Sequence, residues 1–236
     1  MLVERAVPAP FERVAARPGR EVTVLHPALD ARYTALVSAV APRIEGELSR
    51  SVAANRVAVA SIDPPRLTLR SFRDERIAFG RRFAHLARRS LFLLFADVRE
   101  CYRSIEPDVV ASSLRVLGCD EASEGAVARF LHALSDRGLE GLPVGPDPSA
   151  VLANAVLAEI DRALERLGVP YLRWVDDLVV GVEGSRGATT VLEVAREALG
   201  RVGLHLNDAK TRLVPDPVPS ALPRGISVAR SGEEVG

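Results

Sequence analysis

Hydrophobic residues recur along this chain with two distinct periods. Apolar positions follow helical spacing in six segments, which are residues 29–48, 72–89, 107–117, 121–134, 150–167 and 191–202. Shorter apolar runs typical of strands occupy residues 20–25, 91–98 and 171–183, and a turn and strand could follow at 204–213. Because these helices and strands do not alternate regularly, the pattern predicts an α+β fold.

Two adjacent acids, Asp176 and Asp177, interrupt the apolar segment YLRWVDDLVVGVE. The segment predicts two short strands that turn at these acids, and a third acid, Asp97, ends the apolar run LFLLFAD. Burying neighbouring carboxylates is costly unless cations meet them. Three carboxylates at the ends of two strands can hold two Mg²⁺ or Mn²⁺ ions. The alternative interpretation is that each acid is an ordinary turn or capping residue.

Length and composition are those of an ordinary globular protein. The chain has 236 residues, of which 47% are hydrophobic and 26% charged. The longest apolar run, residues 91–96, is far shorter than a membrane span, and the N-terminus lacks an apolar signal core. Two cysteines are too few for a disulfide framework. We expect a reduced, cytoplasmic protein without membrane association.

A net charge of zero conceals a strong asymmetry along the sequence. Residues 50–103 contain 12 Arg against 5 acids, whereas residues 104–236 contain 13 basic residues against 20 acids. The basic block suits a polyanionic partner, and the alternative is a solvated helical face. Within it, residues 72–89 predict a basic amphipathic helix with these residues facing inward: Phe72, Ile77, Phe79, Phe83 and Leu86.

Four segments, two of which contain the acids described above, resemble the sequence motifs of the reverse transcriptase family and occur in the same order. FADVRECYRSI at 95–105 resembles motif A, and GLPVGPDPSAVLANAVLAEID at 141–161 resembles motif B. LRWVDDLVV at 172–180 resembles motif C, and GLHLNDAKT at 203–211 resembles motif D. The resemblance, to the bacterial type, implies a polymerase palm in which an antiparallel sheet packs on helices.

The same resemblance implies a division of the chain into three parts. Residues 1–90 are expected to form a reduced, mostly helical fingers region, residues 91–215 the palm, and residues 216–236 a flexible tail. No helical thumb fits after residue 215, so a partner protein that replaces the thumb is one expectation.

The resemblance also assigns the catalytic residues. Asp97 and Asp176 would bind the two Mg²⁺ or Mn²⁺ ions, with Asp177 a weaker or outer ligand. Lys210 is similar to the lysine that protonates or steadies the leaving pyrophosphate. The alternative for Lys210 is an exposed lysine at a strand edge.

A nucleotide pocket follows from the same motifs. Its expected residues are Arg20, Val98, Tyr102, Pro143, Val144 and Gly145. Tyr102 is similar to the aromatic residue that lies under the incoming sugar and excludes a 2′-hydroxyl, and the alternative is a core tyrosine. Arg20 would bind the triphosphate. Val144 stands where the family often has glutamine, so one substrate contact is expected to be missing.

Contacts to nucleic acid are expected from Arg56, Arg81, Arg82, Ser149 and Asn154. Ser149 could instead cap the helix that follows it. Arg173 resembles an arginine found at this place in bacterial relatives and is expected to pair with acids of the palm. Trp174 replaces the tyrosine of motif C, which removes a hydroxyl near the primer terminus.

The expected function is that of an RNA-directed DNA polymerase. Its expected partners are an RNA template, a DNA or RNA primer and deoxynucleoside triphosphates. The alternative is a catalytically weak palm-fold subunit that binds nucleic acid or a partner protein. A cyclase-type palm also uses paired acids, but it does not explain the segments GLPVG and LHLNDAKT. A role in antiviral defence is proposed only by elimination among retron, intron, CRISPR-associated and defence enzymes.

Overall fold

The computed structural model describes residues 10–17 and 20–217. Its strands are β1 (Phe11–Arg17), β2 (Arg20–Leu25), β3 (Val57–Ile62), β4 (Pro65–Leu69), β5 (Phe92–Asp97), β6 (Tyr171–Trp174), β7 (Asp177–Val182) and β8 (Arg212–Pro215). Its α-helices are α1 (Pro27–Glu47), α2 (Phe72–Arg89), α3 (Cys101–Ser104), α4 (Pro107–Val116), α5 (Glu121–Ser135), α6 (Asp147–Leu167) and α7 (Ser185–Arg201). A 3₁₀ turn covers Asp208–Lys210.

The central element is a four-stranded antiparallel sheet in the order β6-β7-β5-β8. Strand β5 is buried on both faces, so its side chains alternate between two hydrophobic clusters. Leu94 and Ala96 join the main cluster, whereas Leu93 and Phe95 join a smaller one. This alternation follows from the two-residue period of a strand. The sheet therefore has packed helices on each side.

The main cluster is built around helix α6, which is buried along most of its length. Helices α1, α4 and α7 contact it. On the other face of the sheet, α2 packs its Phe79, Phe83 and Leu86 against the smaller cluster. Two separate hairpins, β1-β2 and β3-β4, precede and follow α1.

The predicted α+β palm, an antiparallel sheet packed on helices, is confirmed. Strands β1, β3 and β4 were not predicted. Two of the residues predicted to face inward on helix α2 are instead exposed. Phe72 is 61% exposed and Ile77 is 47% exposed. Phe72 begins helix α2 and contacts Trp174 edge to face at 5.5 Å, so its ring lies at the border of the cluster.

The predicted division of the chain stays a prediction. Its boundary at residue 90 falls between α2 and β5, and its boundary at residue 215 falls at the end of β8. Nearly all of the predicted tail lies outside the described residues. Within the described residues, no helix combines the length and apolar character needed to cross a membrane.

The loop between α5 and α6 is held against α3 by a very close approach of backbone. The amide of Leu142 donates a hydrogen bond to the carbonyl oxygen of Tyr102 at 2.8 Å. Gly141 has a φ of +62°, and a Cβ at this position would lie 2.3 Å from the Tyr102 oxygen and 2.4 Å from the Arg103 oxygen. Only glycine allows both the conformation and the approach.

We expect Gly141→Ala to destabilise the fold more than Gly138→Ala. Both glycines have a positive φ, +62° and +86°, so alanine at either should cost about 1–2 kcal/mol of backbone strain. A Cβ at Gly138 meets nothing within 4 Å, whereas the clash at Gly141 should add roughly 1–3 kcal/mol or more. Urea denaturation of both variants measures the difference. Equal losses of stability would contradict the close approach.

Candidate active site

The strand register brings the predicted acids together at one end of the sheet. Asp97, the last residue of β5, is the direct partner of Asp177, the first residue of β7. Asp176 lies in the turn that precedes β7, and its carbonyl oxygen accepts a hydrogen bond from the Val98 amide at 3.2 Å. Three carboxylates therefore come from one turn and two neighbouring strands.

The carboxylate of Asp97 is engaged on both oxygens. Asn207 donates a side-chain hydrogen bond to Oδ1 at 3.1 Å, and Lys210 donates one from Nζ to Oδ2 at 3.0 Å. The hydrogen bond to Asp97 is the main reason that the pKa of Lys210 is raised. The chain thus supplies a cation to the most buried of the three acids.

Burial dominates the electrostatics of Asp177. It raises the pKa of this carboxyl from its ordinary value of 3.8 to about 6, and the charges of Asp176 and Asp97 add to the rise. Lys210 and Arg212 oppose it more weakly. Loss of hydration therefore contributes more to the raised pKa of Asp177 than repulsion between the acids does.

The acids lie on the floor of a cleft with a volume of about 1610 Å³. Val98 and Tyr102 line it on the β5 side, and Val144 and Gly145 line it from the loop before α6. These four expected pocket residues are therefore brought together with the acids. Tyr102 is half-buried and also packs against the main cluster, so it contributes to both the cleft and the core.

Pro143 does not line this cleft. Pro143 is buried in the loop next to Val144. Arg20 begins β2, and its side chain lies outside the described part of the structure. The strand itself is tied to the loop, because the Thr23 amide donates to the Val144 carbonyl oxygen at 2.7 Å.

The donor chemistry of the site fits a hard divalent cation. Carboxylate oxygens are the ligands that Mg²⁺ and Mn²⁺ prefer. Burial raises the pKa of the nearby Cys101 thiol, and the charges of Asp176 and Asp97 raise it further, so a thiolate does not compete. Within residues 10–17 and 20–217, however, no three His, Cys, Asp or Glu side chains are arranged to hold a metal ion. In this arrangement Asn207 and Lys210 contact the two carboxylate oxygens of Asp97.

Two residues expected to contact nucleic acid lie inside the fold. Ser149 is fully buried, and its hydroxyl lies 3.1 Å from the hydroxyl of Tyr33. It does not cap α6 either, because the N-cap position is occupied by Pro146. Asn154 is also buried and donates to the carbonyl oxygen of Ala54 at 3.1 Å. Both side chains are used within the protein and do not face the cleft.

The predicted arginines are likewise not brought to the cleft. Arg56 forms an ion pair with Glu45 at 2.9 Å, and Arg82 donates to the carbonyl oxygen of Arg50. Arg81 is exposed on α2 and is not among the residues that line the cleft. Nucleic-acid binding by these three residues stays a prediction.

Other residues line the cleft without having been assigned to it. They are Asn55, Arg76, Arg99, Asn207 and Arg212, among others. Asn207 belongs to the segment LHLNDAKT, so the resemblance to motif D could have predicted its place in the cleft. Arg76 lies in the basic block, but helical spacing alone does not distinguish it from the neighbouring arginines.

Comparison with known proteins identifies the class of this chain. The family model described as reverse transcriptase (RNA-dependent DNA polymerase) matches residues 26–219. The chain therefore belongs to the reverse transcriptase family. No curated protein matches its sequence.

Solved telomerase structures share the fold at low sequence identity. Apo telomerase from Candida tropicalis matches with a TM-score of 0.55 and 12% identity, covering 88% of this chain and 44% of that one. The same telomerase without its C-terminal domain matches with a TM-score of 0.51 and 15% identity, covering 87% of this chain and 49% of that one. This chain thus spans about half the length of the telomerase chains it matches, and the likeness concerns the fold alone.

Proposed function

We propose that this protein is an RNA-directed DNA polymerase that adds deoxynucleotides to a primer 3′-hydroxyl. The observation that carries the proposal is the register of Asp97 opposite Asp177, with Asp176 in the adjoining turn, on the floor of a large cleft. Membership of the reverse transcriptase family supports the reaction class. The partners we propose are an RNA template, a DNA or RNA primer and deoxynucleoside triphosphates.

The acids would bind Mg²⁺ or Mn²⁺, with Asp97 and Asp176 as the principal ligands and Asp177 as a weaker one. Bound metal would activate the attacking hydroxyl and neutralise the charge that develops on the leaving pyrophosphate. The closeness of Asp97 and Asp177 on neighbouring strands, which lie about 4.8 Å apart in sheets, supports this assignment.

Lys210 has two proposed tasks in this reaction. It neutralises Asp97 in the free protein, at a distance of 3.0 Å. Its side chain is 63% exposed, so little packing opposes its movement. Released from Asp97, the ammonium group would turn to the pyrophosphate and donate a proton or a hydrogen bond to it.

A second candidate function is a palm-fold subunit with little catalytic activity that binds nucleic acid or a partner protein. The Asp97–Lys210 ion pair favours it, because a buried acid already neutralised by a lysine needs no metal. Structural ion pairs of this kind occur without any catalytic role. The two functions differ in one observable, which is metal-dependent primer extension.

Primer extension by the purified protein tests the function. We expect incorporation of deoxynucleotides on a primed RNA template in the presence of Mg²⁺, and at least a thousandfold loss in Asp176→Ala. A loss of that size corresponds to about 4 kcal/mol of transition-state stabilisation. Asp208→Ala, an exposed acid in the 3₁₀ turn that does not line the cleft, serves as the control and should retain activity. Absence of extension by the wild type would favour the second candidate.

Sugar selection tests the role of Tyr102. If its ring lies under the incoming sugar, Tyr102→Ala should admit ribonucleotides and reduce the preference for deoxynucleotides by about 10–100-fold, or roughly 1.4–2.8 kcal/mol. Tyr102→Phe should retain the preference, because the ring is kept. Separate extension assays with dNTP and rNTP pools measure the ratio. An unchanged ratio in Tyr102→Ala would remove this residue from the pocket.

A further inference from the structure

The turn that presents the acids has an unfavourable sequence for its conformation. Strands β6 and β7 are joined by two residues, Val175 and Asp176. Val175 has a φ of +56°. Two-residue hairpin turns with a positive φ at the first position favour glycine or asparagine there. A β-branched residue in this region is strained by about 1–3 kcal/mol and persists only when its surroundings impose the conformation.

One side chain binds the strained residue directly. Arg173, two positions before Val175, is completely buried and donates from Nη1 to the Val175 carbonyl oxygen at 2.8 Å. The same nitrogen donates to the side-chain oxygen of Asn154 at 2.9 Å. The carbonyl of the turn is therefore held by a charged donor that is itself fully buried.

Besides Val175 and Asn154, the guanidinium group of Arg173 contacts a third residue, Asp161. Asp161, which is 2% exposed, accepts from Nε and Nη2 of Arg173 at 2.9 and 2.6 Å. Such a two-oxygen contact sets the plane of the guanidinium as well as its position. Asp161 and Asn154 both belong to α6, the most buried helix of the fold. The side chain of Arg173 thus connects the turn to the buried helix α6.

The backbone of Arg173 adds a fourth constraint. Its amide donates to the Ser51 carbonyl oxygen, and its own carbonyl oxygen accepts from the Ala53 amide, both at 3.0 Å. Asn154 in turn donates to the carbonyl oxygen of Ala54 at 3.1 Å. The segment before β3 therefore closes the edge of β6 and leaves Arg173 no room to move.

We propose that Arg173 is a positioning residue whose guanidinium imposes the left-handed conformation of Val175 and thereby directs Asp176 and Asp177 towards Asp97. Its consequence for catalysis rests on the proposed function, but the geometry of the turn does not. A purely structural ion pair would contribute only to the stability of α6 and β6. A positioning residue controls the turn even when stability is restored by other means.

The test separates these roles with the double variant Arg173→Met/Asp161→Leu. Replacing a buried ion pair by apolar residues of similar volume is often neutral or stabilising, so the urea midpoint should stay near that of the wild type, lowered only by the donor that Asn154 loses. Hydrogen exchange of the metal-free protein should nevertheless become at least tenfold faster across residues 172–180 and at the Val98 amide, which is bonded to the turn. Primer-extension kcat should fall at least tenfold, with a smaller change in KM for the nucleotide.

A control pair away from the turn is available on α4 and α5, where the side chain of Arg115 is 70% exposed and that of Glu124 is buried. Arg115 binds both carboxylate oxygens of the buried Glu124, and Arg115→Met/Glu124→Leu should leave exchange at the turn and kcat unchanged. Arg173→Lys keeps a charge beside Asp161 but cannot reach all of its partners, so it should also accelerate exchange at the turn if the double variant does not fold. Wild-type exchange at the turn in a folded variant of either kind would overturn the proposal. A wild type without polymerase activity would refute the proposed function while leaving the exchange result interpretable.

Discussion

The pairing of β5 with β7 is the constraint on which the candidate site depends. Its register places Asp97 opposite Asp177 and, at the same time, sends alternate residues of β5 into two hydrophobic clusters. A slip of one residue would reverse every side chain of the strand, so the hydrophobic pattern specifies the register strongly. Burial of Leu93 and Leu94 on opposite faces thus determines where the acids meet.

Concentrating acids at the end of a buried sheet has an electrostatic cost that the chain offsets with its own cations. Lys210 and Asn207 bind Asp97, whereas burial and the neighbouring acids raise the pKa of Asp177. Arg173 lies just behind the turn, with its charge matched by Asp161. The site therefore combines a fully buried cation behind the turn with a largely exposed cation that contacts Asp97.

The sequence predicted the strands that carry the acids because β5 is a short apolar run that ends in Asp97, and the apolar run of β7 directly follows the acid pair. It did not predict β3, whose residues alternate between buried, half-buried and exposed positions without a clean period. The burial of Asn154 was also not predictable, since its partner Ala54 is 100 residues away in sequence. Long-range contacts of this kind leave no local pattern, so a motif residue that supports the site looks the same as one that binds substrate.

Anomalous diffraction from crystals grown with Mn²⁺, a primed RNA template and a deoxynucleoside triphosphate tests the central claim most directly. The account predicts Mn²⁺ peaks within coordination distance of the carboxylates of Asp97 and Asp176, with Lys210 moved away from Asp97 towards the phosphates. Crystals in which nucleic acid is bound, Lys210 still contacts Asp97 and no Mn²⁺ lies at these acids would contradict it.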